Sequence, residues 1–407
     1  MQAAPRIREW NAPRFGASAI LHASFVLSGI VTTLLGPILP ILSARWSLTN
    51  AQAGYFFASQ FIGSMVGVGL SSLLVPRWGY RRTLVIAFAM MCSGVGTVEL
   101  VSWRTSLASV FLYGIGLGLS IPATNLLVSD LFPDRRAAAL NILGLAWGVG
   151  AIASPALTAL ALRTHNARSL FFGLAGTAAC MAVCLAWNRG IQAGSQERSS
   201  KPSKLVGPSV WRSPLIPVLA LMFFLYVGTE NALSGWVATY AKHLSSGAGM
   251  AWLFAPSCFW AALLLGRAIA PAVLRRVADL KLMILGLLAA ACGITTILAA
   301  STLTGIFLGV ALSGLGLASV FPITIAALSH CFGVMATRVA GIMFAVAALG
   351  GATLPWLVGF LSTRCGSLRL AFGIPLLSVL VMLALQFSGF GLPAKHRDYE
   401  KVWGGRP

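Results

Sequence analysis

The sequence predicts an all-α membrane protein, twelve transmembrane helices arranged as two pseudo-symmetric six-helix halves. Three observations carry this expectation. Of the 407 residues, 57% are hydrophobic and only 9% are charged, with a mean hydropathy of +0.85, a composition foreign to soluble globular chains. Apolar runs of about 20 residues, the length that crosses a hydrocarbon core, recur twelve times. The chain also repeats itself at a shift of 200 residues: Gly114, Gly116 and Pro122 fall on Gly314, Gly316 and Pro322, Gly150 and Pro155 on Gly350 and Pro355, and Arg81 on Lys281.

The runs are expected near 16–40, 50–75, 83–102, 106–130, 137–161, 169–188, 214–241, 249–272, 282–300, 304–329, 338–362 and 369–390. They divide the chain into an N-terminal half over 1–188, a polar Ser/Gly/Pro-rich linker over 189–213 and a C-terminal half with its tail over 214–407. The basic N-terminus followed by an apolar run imitates a signal peptide, but the run is too long and lacks a convincing cleavage site, so it is read as an uncleaved first span.

The net charge of +20 is a matter of placement. With both termini cytoplasmic, the inner segments hold 22 Lys or Arg, including Arg267 in the loop before span 9, and the outer loops hold seven. That asymmetry is the positive-inside rule, and it expects a multi-pass protein of the inner membrane. The basic charge is therefore a topology signal with scope for anionic-lipid contact, and nucleic acid is excluded as a partner. Seven dispersed cysteines without CxxC or Cys/His spacing read as packing residues. No metal and no cofactor are expected, and the chain is expected to act as a monomer in the bilayer.

Taken in order, span 1 carries His22, a proton carrier or a ligand for a solute hydroxyl on one reading and a histidine bonded to a neighbouring helix on the other. Span 2 carries Gln60 with Gly63 and Gly67, a small-xxx-small pair that lets helices approach. Glu99, at the outer end of span 3, is expected to pair with Arg104. Span 4 passes through Pro122 to Asn125, and span 5 holds Asn141, Trp147 and Pro155.

Span 7 is the most informative. It places Glu230 in mid-membrane beside Asn231, with Trp236 and Tyr240 within two to three turns. A carboxylate there is costly, so it faces a cavity or a partner. Glu230 is thus either a functional group or a structural one held by a neighbouring helix.

The loop after span 2 reads Pro76-Arg77-Trp78-Gly79-Tyr80-Arg81-Arg82. It resembles the cytoplasmic loop motif of the major facilitator superfamily, Gly-x3-Asp-Arg-x-Gly-x-Arg-Arg, through Arg77, Gly79, Arg81 and Arg82. Ser72 and Pro76 stand for its leading Gly and Asp. The resemblance implies the major facilitator fold, with these four residues forming a conformational-gate loop and the solute held near the midplane between the halves. Within that superfamily, Tyr226-x-Gly228-x-Glu230 with Gly235-Trp236 and Thr239-Tyr240, Phe321-Pro322, and the run from Arg338 through Gly350-Gly351 to Pro355-Trp356 resemble the fucose:proton symporter group. That group includes glucose/mannose:proton symporters and sodium-dependent glucose carriers. Its fucose member uses acids in spans 1 and 4; here span 1 has none and span 4 only Asp130 at its inner end.

The reading that follows is a secondary active transporter for a small polar solute, most consistently a hexose, coupled to protons or sodium and working by alternating access. Sugar sites combine amides and carboxylates for hydroxyls with aromatic faces for the ring. Gln60, Asn125, Asn141, Glu230 and Asn231 are candidates for the first role, and Trp147, Trp236, Tyr240 and Trp356 for the second, with Glu230 and His22 as ion-coupling candidates. A drug or metabolite efflux antiporter is the alternative, although neither an Arg in span 4 nor a Gly-Pro dipeptide in span 5 is present. A membrane enzyme finds no support: the five histidines are dispersed, and HExxH, GxSxG and Walker A patterns are missing. A non-transporting receptor would keep the same helices without a coupling acid.

Overall fold

The computed structural model describes residues 12–100, 102–163, 167–188, 213–245 and 249–387. The linker expected over 189–213, apart from Ser213, and the basic tail lie outside the described residues.

All regular structure in the described residues is helical. The first crossing is made by α1 (Ala12–Thr33) and α2 (Leu35–Arg45), which join at Leu34. The joint has a local cause: Gly36 and Pro37 follow it, and proline lacks an N–H and displaces the carbonyl one turn back. Next comes α3 (Asn50–Thr97), 48 residues opened by a Thr49/Gln52 capping box. Laid end to end at about 1.5 Å per residue its residues would run roughly 72 Å, more than twice a hydrocarbon core, so they form two helical arms. It folds back at Gly79, whose φ of 78° and ψ of 167° belong to a region essentially reserved for glycine. Its two arms are therefore spans 2 and 3.

The remaining crossings are α4 (Trp103–Leu131), α5 (Arg136–Arg163), α6 (Ala167–Trp187), α7 (Leu215–His243), α8 (Ala255–Leu274), α9 (Asp279–Ala299), the pair α10 (Leu303–Leu317) and α11 (Val320–Phe332), α12 (Ala336–Cys365), and the pair α13 (Leu368–Ala371) and α14 (Gly373–Phe387). With α3 counted for both arms, these make twelve crossings. Their outer surface is apolar, with Leu160, Leu285, Leu308 and Leu377 exposed, as a lipid-facing surface requires.

Elements recur at the same spacing of 200. The 3-10 turns over Pro133–Arg135 and Gly333–Met335 correspond, as do the starts of α5 and α12 and those of α4 and α10. Ser102 and Thr302 both cap the helix that follows, accepting from Thr105 and Gly305 amides. One difference breaks the symmetry: α4 runs unbroken through Pro122, whereas its counterpart divides at Ala318–Ser319, just before Pro322.

Close packing in the first half uses the small residues of α3 and α4. Gly63 and Gly67 leave room for the carbonyls of Phe111 and Ile115, and a Cβ at Gly67 would lie 2.9 Å from the Gly118 Cα. The helices approach to backbone contact there.

The two ends of the bundle differ. At the end where α6 finishes and α7 begins, called the near end below, a cavity of about 740 Å³ opens between the halves. At the far end the halves are closed together. Asn50 Nδ2 donates to Ser362 Oγ (2.8 Å) and the Ala51 amide to Thr363 Oγ1 (2.8 Å), tying the start of α3 to the last turns of α12. Beneath them, a Cβ at Gly36 would sit 2.6 Å from the Ser234 carbonyl oxygen, so α2 and α7 also meet at backbone distance.

Two sequence expectations are corrected. Glu99 pairs with Arg45 at the end of α2, through both its carboxylate and its backbone carbonyl. Arg104 is exposed. The guanidinium of Arg45 also covers the Trp46 ring, so this pair fastens span 1 to span 3. Arg267, assigned to an inner loop by charge counting, lies inside α8, seven residues before its end.

Candidate functional site

The site is built around α7, whose residues from Thr229 to Ala241 are buried except for Asn231. Glu230 sits at the middle of this helix, 7% exposed. Its partner comes from α8: Arg267 Nη2 lies 3.6 Å from Glu230 Oε1. That distance makes an ion pair rather than a hydrogen bond. The same Nη2 donates to the hydroxyl of Tyr226, one turn before Glu230 on α7, at 3.1 Å. The Arg267 Nε–H is buried without a partner, an open donor beside the pair. Each charge compensates the other, which is what makes two ionised groups tenable at this depth.

One residue along, Asn231 lines a small recess closed by α1, α2, α3 and α7. Gln60 faces it from α3, and Thr32, Thr33 and Ser234 complete its polar wall. Gln60 is held by two hydrogen bonds: its Oε1 accepts from the Tyr113 hydroxyl (2.9 Å) and its Nε2 donates to the Thr32 carbonyl (3.0 Å). Asn231 Nδ2 donates to the Val227 carbonyl at 2.8 Å.

The larger near-end cavity is walled mainly by apolar side chains, among them Val68, Leu126, Phe223, Ile325 and Phe344. Its rim carries Asp130, which accepts from the Tyr80 hydroxyl at 2.8 Å.

Two of the expected solute residues, Asn231 and Gln60, thus face one recess, and Glu230, next to Asn231 on α7, turns to Arg267 of α8. The others do not join them. Trp236 is fully buried, its Nε1 donating to the Pro355 carbonyl at 2.8 Å and its ring 5.9 Å from that of Phe57. It is a packing residue between α7 and α12 and offers no free face to a sugar. Tyr240 packs 5.4 Å from Phe372, near the far end. Trp356 lies in the closed far-end contact against Gly54, Tyr55 and Phe360. Asn141 is exposed in the second turn of α5, and Asn125 turns its amide back onto the Ile121 carbonyl at 2.9 Å.

Trp147 meets Trp260 edge to face at 5.2 Å. Together with the hydrogen bond from Ser257 Oγ to the Ile152 carbonyl (2.8 Å), this contact seals α5 against α8. His22 is held at its own helix, Nδ1 at 2.7 Å from the Ser18 carbonyl, with Nε2 buried and unpartnered.

Of the loop motif, Gly79 makes the reversal between the arms of α3, and Arg81 donates to the Ala186 carbonyl, capping the end of α6. Arg77 and Arg82 are exposed. Among the described residues, no cluster of three or more His, Cys, Asp or Glu is placed to hold a metal ion.

Sequence reasoning missed two members of the site. Arg267 carried the same signal as Glu230, a charge within an apolar run, and its place inside the expected 249–272 span could have revealed it. Tyr113 carried none, because a tyrosine in a glycine-rich helix reads as an interface aromatic.

The family model of the Major Facilitator Superfamily matches residues 21–303. An uncharacterized MFS-type transporter of Yersinia pestis is 25% identical over 387 residues, covering 91% of this chain and 95% of its own. The glucose/mannose transporter GlcP of Bacillus subtilis (strain 168) is 24% identical over 366 residues, 87% of this chain and 89% of its own. Among solved structures, the nucleoside transporter NupG superposes with a TM-score of 0.76 at 12% identity, over 92% of this chain and 99% of its own. That likeness is one of fold.

Proposed function

Because the chain belongs to the Major Facilitator Superfamily and is therefore a multi-pass membrane transporter of a small solute, not an enzyme, we propose that its solute is a hexose, carried by symport with a proton or sodium ion. The observation that carries this reading is the pairing of Glu230 with Arg267 one residue from the amide-lined recess of Gln60 and Asn231. A titratable carboxylate on the same helix as a neutral, hydroxyl-matching recess is what coupled transport of an uncharged polar solute requires. The glucose/mannose transporter among the relatives supports the choice of solute. Lys/Arg placement puts the near end in the cytoplasm, so this conformation faces inward. The 1–188 and 214–407 halves rock about the central site, and the protein works as a monomer.

The mainly apolar wall of the near-end cavity favours a second reading, export of a less polar drug or metabolite by antiport. Reconstituted protein separates the two. With glucose as cargo, Glu230→Gln is expected to keep exchange across the vesicle membrane and lose accumulation against a gradient. Wild-type protein that neither exchanges nor accumulates glucose, and instead moves amphipathic compounds outward, overturns the hexose reading.

A further inference from the structure

The recess between Gln60 and Asn231 has room for about one water centre, a void of about 10 Å³, at the lower bound of what a water needs. Its hydrogen-bonding character follows from what its walls have already committed. Thr32, Thr33 and Ser234 each donate their hydroxyl proton to a carbonyl of their own helix, on Ser28, Gly29 and Glu230. They offer the recess only acceptors, so its side-chain donors must come from the two amides.

An amide side chain can turn over and exchange its oxygen for its nitrogen. Gln60 is prevented from doing so. Turning it would set Oε1 against the Thr32 carbonyl and leave the buried Tyr113 hydroxyl facing an NH₂ group. With Oε1 committed to Tyr113 and one N–H to Thr32, one N–H of Gln60 remains for the recess. Opposite it, Asn231 has committed one N–H to Val227, leaving its second N–H and its carbonyl oxygen uncommitted. The first half thus presents a donor, and the second an acceptor together with the remaining Asn231 N–H. A bare cation would meet the Gln60 N–H, and an anion would meet the Asn231 oxygen and three hydroxyl oxygens. A neutral hydroxyl, which donates and accepts, satisfies both.

We propose that this void is a recognition recess for one neutral hydroxyl, occupied by a water in the empty protein and by a hydroxyl of the cargo in the loaded one, and that Tyr113 is its positioning residue, acting through Gln60. Tyr113 is fully buried and touches no cargo. The inference rests on the hexose reading for its cargo arm and not for its water arm.

The test compares wild type with Tyr113→Phe. In experimental structures resolved well enough to show waters, the sugar-free wild type is expected to hold one water bridging Gln60 and Asn231, and Tyr113→Phe to lose it as the Gln60 amide, held by the Thr32 carbonyl alone, shifts. In binding assays with D-glucose and its monodeoxy analogues, one analogue is expected to bind wild type about tenfold more weakly than glucose, the loss of a single positioned hydrogen bond. Tyr113→Phe is expected to weaken glucose by about as much while leaving that analogue within about twofold.

A dry wild-type recess, or a Tyr113→Phe recess that keeps its water with Gln60 unmoved, overturns the proposal, as does equal weakening of both sugars, which is the behaviour of a structural residue. If wild type binds no glucose, the hexose reading fails and the water decides the recess alone. Should Tyr113→Phe not fold, the Tyr113→Phe/Gln60→Leu double variant removes the Tyr113 hydroxyl and the Gln60 amide together, leaving only the Thr32 carbonyl without its donor. It is then expected to bind glucose and the analogue equally; retained discrimination overturns the proposal.

Discussion

Removing Arg267 is expected to cost more than removing Glu230, and removing both less than removing Arg267 alone. The charges stand 3.6 Å apart with 32% and 10% of their side chains exposed. At that distance two unit charges attract by about 4–5 kcal/mol at an effective dielectric of ~20. The open share of Arg267 brings this to roughly 3 kcal/mol. Arg267→Met strands the less exposed partner and should lose about that amount. Glu230→Gln leaves the guanidinium with the Tyr226 hydroxyl and its share of solvent, so about half that loss is expected. The Arg267→Met/Glu230→Gln double variant removes both charges and should fall within about 1 kcal/mol of wild type. Unfolding midpoints in one detergent at one pH rank the four proteins. Losses that simply add would mean that the two groups do not interact and would refute the pairing.

Three other outcomes follow from the geometry. Gly79→Ala forces a Cβ into the backbone region that reverses α3 and should cost about 1–3 kcal/mol, read as a lowered unfolding midpoint with the cavity residues untouched. Gly36→Val meets the Ser234 carbonyl and should hold the far end apart, so that a cysteine at Ser329, which lines the near-end cavity, loses its reactivity to a membrane-permeant reagent; unchanged labelling would show that this contact is no gate. In a cysteine-free background, Ser301→Cys should be labelled from outside intact cells and Lys281→Cys should not, both being exposed at opposite ends; the reverse pattern would invert the proposed orientation.

The crossings were legible because each is set by a local quantity, a run of apolar residues long enough to span. Spans 2 and 3, expected as separate runs on either side of the Arg77–Arg82 loop, are two helical arms that reverse at Gly79. The site was only half legible, and α7 shows why. A helical wheel separates faces, but α7 is buried on nearly all of them, so spacing could not say whether Trp236 faces a cavity or Pro355. Arg267 was misplaced for a different reason. Charge counting treats every Arg near a span's inner end as a flank, whereas a long side chain inside the span can answer a carboxylate on the next helix.

The two halves of the proposed mechanism sit on different joints of the molecule. Glu230, Tyr226 and Arg267 all belong to α7 and α8, within the second half, so a rocking motion between the halves carries the ion pair as one body. The recess is divided instead, with Gln60, Thr32 and Thr33 on the first half and Asn231 and Ser234 on the second. Parting α2 from α7 pulls the recess open while the ion pair stays intact. Opening alone therefore does not discharge Glu230. What links the two is their adjacency on α7, where Asn231 follows Glu230 directly. A cargo hydroxyl engaging Asn231 in the closed recess acts one residue from the carboxylate, so coupling under this scheme depends on the recess being filled as well as on the halves having moved.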